Sequence, residues 1–470
     1  MSSFLKIFRR SRFQRDLLVL LLTWLVTLPP VVRAQTTGPQ YIVQAGDTLF
    51  EIALRFGATL DALLTANPGI DANSLAVGQP LILPGFENLT GTLNIHTLEP
   101  GESLDSLALR LGLAPETLIR LNRIVNPERL YVNQAVIIVE GASERLAVPL
   151  GEMYAAPTGL LTLAASRNQG PWAVAAVNGL QHPGALAPMS HIAIPGGERA
   201  TTALPAPLHT LQFSTLPPVP GRTLAIHIAT AQPLTLSGSL GDWPLHFNRE
   251  PTDPTTYYAL IGIYRLAESN LYPLTLAATD DVGQVMRFSQ SVPVREGDYG
   301  ADPPLTVDSA TLDPAVTAPE TEQIKTIISA YTPTRYWNGL LALPSVGVIR
   351  SYFGSLRSYN GGPYDSFHGG VDFTGREDRP ITAPAPGVVV FTGALTVRGN
   401  ATLLDHGWGV YTGYWHQSSI QVRVGQVVNT GDLLGFNGAT GRVTGPHLHW
   451  EMWVGGFQVD PLEWTETTFP

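Results

Sequence analysis

At 470 residues the chain is too long for one ordinary core, and at roughly 100 to 200 residues per domain it divides into several. Its 44% hydrophobic content, 46 Gly and 39 Pro supply cores and turns and exclude disorder throughout, while the absence of Cys excludes a disulfide framework and any thiolate metal site. A net charge of -10, without clusters of Lys and Arg beyond the N-terminus, excludes nucleic acid as a partner.

Lys6, Arg9, Arg10, Arg12 and Arg15 precede an apolar run from Leu17 to Leu28, and Val32-Arg33-Ala34 then leads into a polar stretch. This is the order of a secretory signal peptide over 1–34, cleaved after Ala34. The apolar run is shorter than the roughly 20 residues of a membrane span, and an uncleaved anchor is the alternative. Removing residues 1–34, with six basic residues and one acidic one, takes the net charge from -10 to -15. An exported chain without Cys fits a bacterial envelope, cell wall or periplasm, with no membrane contact after cleavage.

Past the signal the sequence repeats. Asn67, Asn122 and Asn178 stand 55 and 56 residues apart, and each is followed seventeen positions later by the end of a short apolar strand. Upstream of the first, Tyr41-Ile42-Val43 reads as a strand and Gly46-Asp47 as a turn. Thr48 with Glu51 forms a capping box opening a helix whose Leu49, Ile52, Ala53 and Phe56 share one face. The second copy repeats this through Ile95-His96-Thr97-Leu98 and Gly101-Glu102-Ser103-Leu104. Strand, two helices and strand with a Gly-Asp-Thr-Leu entry resembles the LysM module at 40–85 and 94–140, with a degenerate third copy at 150–196 whose entry is Ala156-Pro157-Thr158-Gly159. The resemblance implies a βααβ fold and binding of peptidoglycan glycan by Gly46, Asp47, Thr48 and Leu49, and by Gly101, Glu102, Ser103 and Leu104.

Residues 197–218 are Pro-rich and read as a linker. The β-prone runs at 223–230, 257–266, 271–279 and 285–294 suggest an immunoglobulin-like β-sandwich over 219–300, read as a spacer that holds the last domain away from the modules. A second linker with a short helix covers 301–340, and the last domain spans 341–470.

Five of the eleven His residues fall between 368 and 449. His368-Gly369-Gly370-Val371-Asp372 sets an imidazole and a carboxylate four apart, and His447-Leu448-His449 sets two imidazoles on one side of a strand. Three nitrogen and oxygen ligands with one open position describe a catalytic zinc site. Together with Ser351-Tyr352-Phe353-Gly354, Ala383-Pro384-Ala385-Pro386-Gly387, Asp405-His406-Gly407, Tyr414-Trp415-His416 and Gly445-Pro446-His447-Leu448-His449, these stretches resemble the lysostaphin-type, or LytM-type, zinc metallopeptidases over 341–463. The resemblance implies an antiparallel β domain with one Zn2+ per chain on His368, Asp372 and His449, and catalysis by His416 and His447. It implies a secreted endopeptidase hydrolysing peptidoglycan stem peptides or cross-bridges. A latent wall-binding regulator of other hydrolases is the alternative, and it calls for substitutions at these five positions.

Overall fold

A computed structural model describes residues 38–71, 75–86, 89–141, 150–155, 160–184, 191–196 and 203–470. The expected signal segment and the Ala156-Pro157-Thr158-Gly159 turn lie outside the described residues. The chain divides into two units, Met1–Ile95 with Ile137–Glu144 and His96–Val136 with Arg145–Pro470.

In the first unit, β1 (Gln40–Ile42) pairs antiparallel with β2 (Pro80–Ile82) and parallel with β3 (Thr92–Thr97), and β4 (Ala135–Glu140) closes the sheet in the order β2-β1-β3-β4. Between β1 and β2 run helices α1 (Leu49–Phe56) and α2 (Leu60–Ala66). Thr48 caps α1 by accepting from the Glu51 amide at 3.2 Å, and Leu49, Ile52, Ala53 and Phe56 are buried beneath it. The periodic asparagine has a structural cause. Asn67 donates through Nδ2 to the Leu63 and Ile82 carbonyls at 2.8 and 2.7 Å and accepts from the Ile82 amide at 2.7 Å, tying the end of α2 to β2. Replacing Asn67 with Ala strands those wholly or partly buried backbone groups, and a local cost of about 1–3 kcal/mol is expected. Faster hydrogen exchange at the Ile82 amide is the readout; unaltered exchange would show that the clamp does not hold the strand.

The second unit begins with α3 (Leu104–Leu111) and α4 (Pro115–Asn122), whose Leu107, Ala108, Leu118 and Leu121 are buried. Next come β5 (Leu150–Ala155), α5 (Leu160–Ser166), α6 (Pro171–Val177) and β6 (His191–Pro195), with β5 and β6 antiparallel. Here Asn178 repeats the clamp, bonding the Val174 carbonyl and both backbone groups of Ala193 at 2.7–2.8 Å.

The expected linker 197–218 is corrected by β7 (Leu208–Phe213), which pairs along β8 (Thr223–Thr230). Leu208 and Leu211 are buried while His209 and Gln212 are exposed, and the prolines that suggested a linker flank this strand rather than interrupt it. The remaining strands are β9 (Thr235–Leu240), β10 (Trp243–Leu245), β11 (Phe247–Glu250), β12 (Asp253–Gly262), β13 (Asn270–Thr279) and β14 (Val285–Val294). They form two four-stranded sheets, β11-β12-β8-β7 and β10-β9-β13-β14, around a common core that includes Ile226, Ile228, Leu274, Leu276 and Phe288.

This domain is also packed directly on the last one. Ala225 and Leu260 from its strands share a core with Trp337, Leu341, Trp408, Met452, Val454 and Trp464. The Trp464 indole donates to Thr223 Oγ1 at 2.9 Å, and the Thr223 amide donates to the Glu463 carboxylate at 2.9 Å. The expected linker 301–340 is likewise part of the last domain. Its helix α7 (Pro314–Ile328) buries Ile324 and Ile328 against Ala401, Leu403, Tyr411, Trp415 and Trp453, and Trp337 is 2% exposed. An apolar period over only three isoleucines gave no sign of that partner surface.

The last domain is built on one large antiparallel sheet with two smaller ones beside it. Its strands are β15 (Val348–Ser351), β16 (Leu356–Arg357), β17 (Ser366–Phe367), β18 (Gly370–Thr374), β19 (Pro380–Thr382), β20 (Gly387–Leu395), β21 (Gly399–Gly407), β22 (Val410–Gln417), β23 (Ser419–Ile420), β24 (Val427–Val428), β25 (Leu433–Phe436), β26 (His447–Val454) and β27 (Phe457–Gln458), followed by the short α8 (Glu463–Glu466). The main sheet runs β15-β18-β26-β22-β21-β20-β24. Alternation divides its faces. Val371, Phe373, Leu404, Tyr414, Leu448 and Trp450 pack into the core on one side. On the other, α7 covers the end carrying Leu403, Trp415 and Trp453, and the adjoining part carrying Asp372, His447 and His449 lines a groove.

Candidate metal centre

Register brings the expected ligand set together. Asp372 on β18 lies opposite His449 on β26, and Thr374 lies opposite His447, so the two histidines project from the same face two residues apart. His368 arrives from the turn before β18. That turn needs its glycines: a Cβ on Gly370 would stand 2.2 Å from the Trp450 carbonyl, and one on Gly369 would stand 2.3 Å from Gln458 Nε2.

His368 Nε2, Asp372 Oδ1 and His449 Nδ1 lie 2.7–3.1 Å from one another, and the three residues form the one group among the described residues able to hold a metal ion. Both rings are turned by their far nitrogens. His368 Nδ1 donates to the Tyr352 carbonyl at 2.9 Å, with Ser351 Oγ at 3.0 Å, and His449 Nε2 donates to Glu451 Oε1 at 2.9 Å. Each inward nitrogen therefore presents a lone pair beside a carboxylate oxygen, an arrangement that calls for positive charge between them. His449 shows that pull. Burial works against its imidazolium, but Asp372 and Glu451 outweigh this and raise it to about 9. Burial likewise opposes charge on Asp372, yet the adjoining His368 and His449 rings hold its carboxyl well below the usual range. Two imidazoles and a carboxylate suit zinc.

Surrounding groups hold these ligands. Glu451 takes a second bond from Gln458 at 3.0 Å, and although burial opposes its charge, its hydrogen bonds and nearby cations bring it down to about 2. Arg357 spans from Asp372 Oδ2 at 3.4 Å to Asp302 Oδ2 at 3.2 Å and also donates to Ser351 Oγ at 3.0 Å. Asp302, Ser351, Arg357 and Gln458 were missed from sequence. Only a supporting partner for His449 was legible there, in the alternation that puts Glu451 on its side of the strand.

His416 and His447 stand beside the ligand set, their rings 4.8 Å apart and His416 6.1 Å from His449. His416 reaches it through a bent backbone. Alternation after Trp415 would turn its side chain to the core face, but at φ 62° and beside a register shift between β21 and β22 it returns to the groove. His416 Nδ1 donates to the Thr440 carbonyl and His447 Nδ1 to the Gly445 carbonyl, both at 2.8 Å, leaving each Nε2 as an acceptor. Burial lowers His447 and brings His416 down to about 3, so both are neutral bases at neutral pH. His406 is elsewhere, bonded to the Pro386 carbonyl and Thr412 Oγ1 at 2.8 Å. The five groove residues line a cavity of about 830 Å³ with Tyr264 and Leu266 from the sandwich and Thr317 and Thr321 from α7.

The glycan candidates fall into two settings. In the first copy the Asp47 carboxylate is 6% exposed and already accepts from Tyr41 Oη, the Gln44 amide and Arg55, so it holds the turn. Among the described residues nothing crowds the α-carbon of Gly46, Thr48 is exposed, and Leu49 is buried under α1. In the second copy Glu102 occupies the place of Asp47, paired with His96 and Arg110, each 55 residues after its counterpart. There the Gly101 amide donates to Gln290 of β14 at 2.8 Å, and a Cβ at Gly101 would stand 2.8 Å from Leu204. That entry turn is covered by the sandwich. Ser103 is the helix cap, exchanging bonds with Ser106, and Leu104 is buried.

Residues 366–461 match the model of peptidase family M23, and residues 41–84 and 96–139 match the LysM domain. The chain thus carries an M23 peptidase domain and two LysM domains. It is similar to a DD-carboxypeptidase/endopeptidase of Neisseria meningitidis, 41% identical over 20% of this chain and 22% of that one. A peptidoglycan DD-endopeptidase of Vibrio cholerae is 42% identical over the same shares. Both matches span about a fifth of the relatives' length. A crystal structure of an M23 peptidase from Pseudomonas aeruginosa is 26% identical, covering 53% of this chain and 94% of that one with a TM-score of 0.40.

Proposed function

We propose that this chain, with its M23 peptidase domain and LysM domains, is an exported endopeptidase that hydrolyses peptide bonds of peptidoglycan with one zinc ion. The observation that carries the reading is the coincidence, in one groove, of a His368–Asp372–His449 donor set with two neutral imidazoles whose Nε2 atoms are free to accept a proton. Zinc held there would supply Lewis acidity toward the scissile carbonyl and toward water. One of His447 and His416 takes the proton of the attacking water and, charged by it, returns that proton to the departing amine, while the other hydrogen-bonds the reacting groups beside it. Their fixed Nδ1 bonds keep the tautomer that leaves Nε2 available. The open groove, flanked by α7 and the sandwich, admits an extended peptide.

The strand order β7-β8-β12-β11 against β10-β9-β13-β14 supports the immunoglobulin-like reading of the middle domain. The LysM domains support wall binding, which raises the local concentration of enzyme without altering its chemistry. Of the expected glycan contacts, Gly46 and Thr48 are exposed in the first copy, with Asp47 and Leu49 holding the turn, whereas in the second Gly101, Glu102 and Leu104 are buried and Ser103 caps its helix, which favours the first copy as the stronger binder.

Digestion of purified peptidoglycan followed by mass spectrometry tests the activity and identifies the bond. Soluble fragments are expected with zinc and none after chelation; fragments that persist without metal would overturn the metal assignment. Deleting 40–140 is expected to reduce pull-down with insoluble peptidoglycan. Undiminished pull-down would remove wall binding from the LysM domains.

A further inference from the structure

Four arginines line the groove: Arg350, Arg357, Arg398 and Arg442. Three are engaged. Arg357 pairs with Asp302 and Asp372, Arg398 with Glu320 at 2.8 Å, and Arg442 donates to the Thr311 carbonyl while lying over the Tyr359 ring. Among the described residues no carboxylate lies in ion-pair range of Arg350, which is exposed on the edge strand.

Its placement follows from the strand register. Val348 opposes Thr374, Ile349 opposes Phe373, and after a shift Ser351 opposes Asp372, which leaves Arg350 as the extra residue of a β-bulge. Ile349 turns to the core, so Arg350, two residues beyond Val348, returns to the groove face that carries Asp372, Thr374 and His447. A bulge beside a site re-aims a side chain, and here it adds a guanidinium to the edge of the peptide groove one strand from the ligand carboxylate. A guanidinium without a protein partner offers a planar fork of donors, the geometry a carboxylate takes in two parallel bonds.

We infer that Arg350 is a specificity residue that binds a free carboxylate on a residue flanking the scissile bond, so that this chain cuts bonds beside an acidic residue in preference to bridges of uncharged residues. This rests on the peptidoglycan-peptidase reading and narrows its substrate. The carboxylate belongs either to the residue that supplies the amine of the scissile bond or to the residue on its acyl side.

The test uses the full zinc-loaded chain and a soluble cross-linked peptide released from peptidoglycan. Its carboxylates are left free, or converted to carboxamides on the amine-side residue alone or the acyl-side residue alone. One of the two conversions is expected to raise KM by about tenfold with kcat within about twofold, the loss of one partly exposed charge-assisted contact, and thereby to identify the side. Arg350→Gln should raise KM for the unmodified peptide by a similar factor and erase the difference between carboxylate and carboxamide. Arg350→Lys should restore part of it, with zinc content unchanged in both variants. An intact carboxylate preference in Arg350→Gln, or equal cleavage of all three peptides by the unmodified chain, would overturn the assignment while leaving the peptidase reading standing. Failure to release fragments from whole peptidoglycan would remove that reading and the assignment with it.

Discussion

His449→Ala is expected to lose zinc and turnover together, whereas His416→Ala and His447→Ala keep zinc and lose turnover by roughly 10²- to 10⁴-fold, the usual contribution of a positioned acid or base. The difference lies in where the ring nitrogens point. His449 Nδ1 sits 2.7 Å from Asp372 Oδ1 and 2.9 Å from His368 Nε2, inside the donor set, while His447 Nε2 is 3.7 Å from the same Asp372 oxygen and outside it. Removing the His449 ring also leaves the buried Glu451 carboxylate with Gln458 as its hydrogen-bond partner, so this variant is expected to unfold at lower temperature as well. Removing His416 leaves His368, Asp372 and His449 with their own supports intact. Metal content by elemental analysis, turnover on a soluble peptide and a thermal melt separate the cases. A His447→Ala protein that loses zinc as readily as His449→Ala would move His447 among the ligands. A His416→Ala protein with full turnover would remove it from the mechanism.

The sequence pattern reached some of these residues and could not reach others, for reasons of backbone geometry. Strand alternation alone put His447, His449 and Glu451 on one face, because β26 is regular through all three. Alternation would have misplaced His416, since the positive φ that returns it to the groove is a property of the β21–β22 register and leaves no mark on Tyr414-Trp415-His416. The 55-residue repeat was legible as spacing, but its meaning was not: Asn67 and Asn178 recur as clamps between a helix end and a strand, and Tyr41–Asp47–Arg55 recurs as His96–Glu102–Arg110 with two of three residues changed. Asp302 was invisible as a supporting residue, since its link to Asp372 passes through Arg357 across 55 residues from a segment read as linker. Proline content misled at 197–218 and 301–340 for one reason. It marks where helices and ladders stop, and says nothing about whether the residues between find a partner surface.

A chain beginning at Leu341, the boundary expected from sequence, should fail to fold, whereas one beginning near residue 203 should fold and bind zinc. Starting at 341 strips Ile324 and Ile328 from Trp415 and Trp453 on the sheet face next to the site. It removes Trp337, whose ring meets those of Trp408 and Trp464 edge-on at 5.8 and 5.5 Å, and it removes the sandwich surface formed by Ala225 and Leu260. Truncating one buried Ile or Trp to Ala costs about 2–5 kcal/mol, and a domain of this size is stable by only about 5–15 kcal/mol, so losing three such side chains and an adjoining apolar face exceeds what the remaining core supplies. Asp302 goes with them, leaving Arg357 without one of its two carboxylates beside Asp372. The longer chain keeps every one of these contacts, together with the Thr223 bonds to Glu463 and Trp464. Circular dichroism melts and zinc stoichiometry of the two fragments decide the matter. A soluble 341–470 fragment that melts cooperatively and holds one zinc would show that α7 and the sandwich lie on a peptidase domain able to stand without them, and would return the sandwich to the role of a spacer.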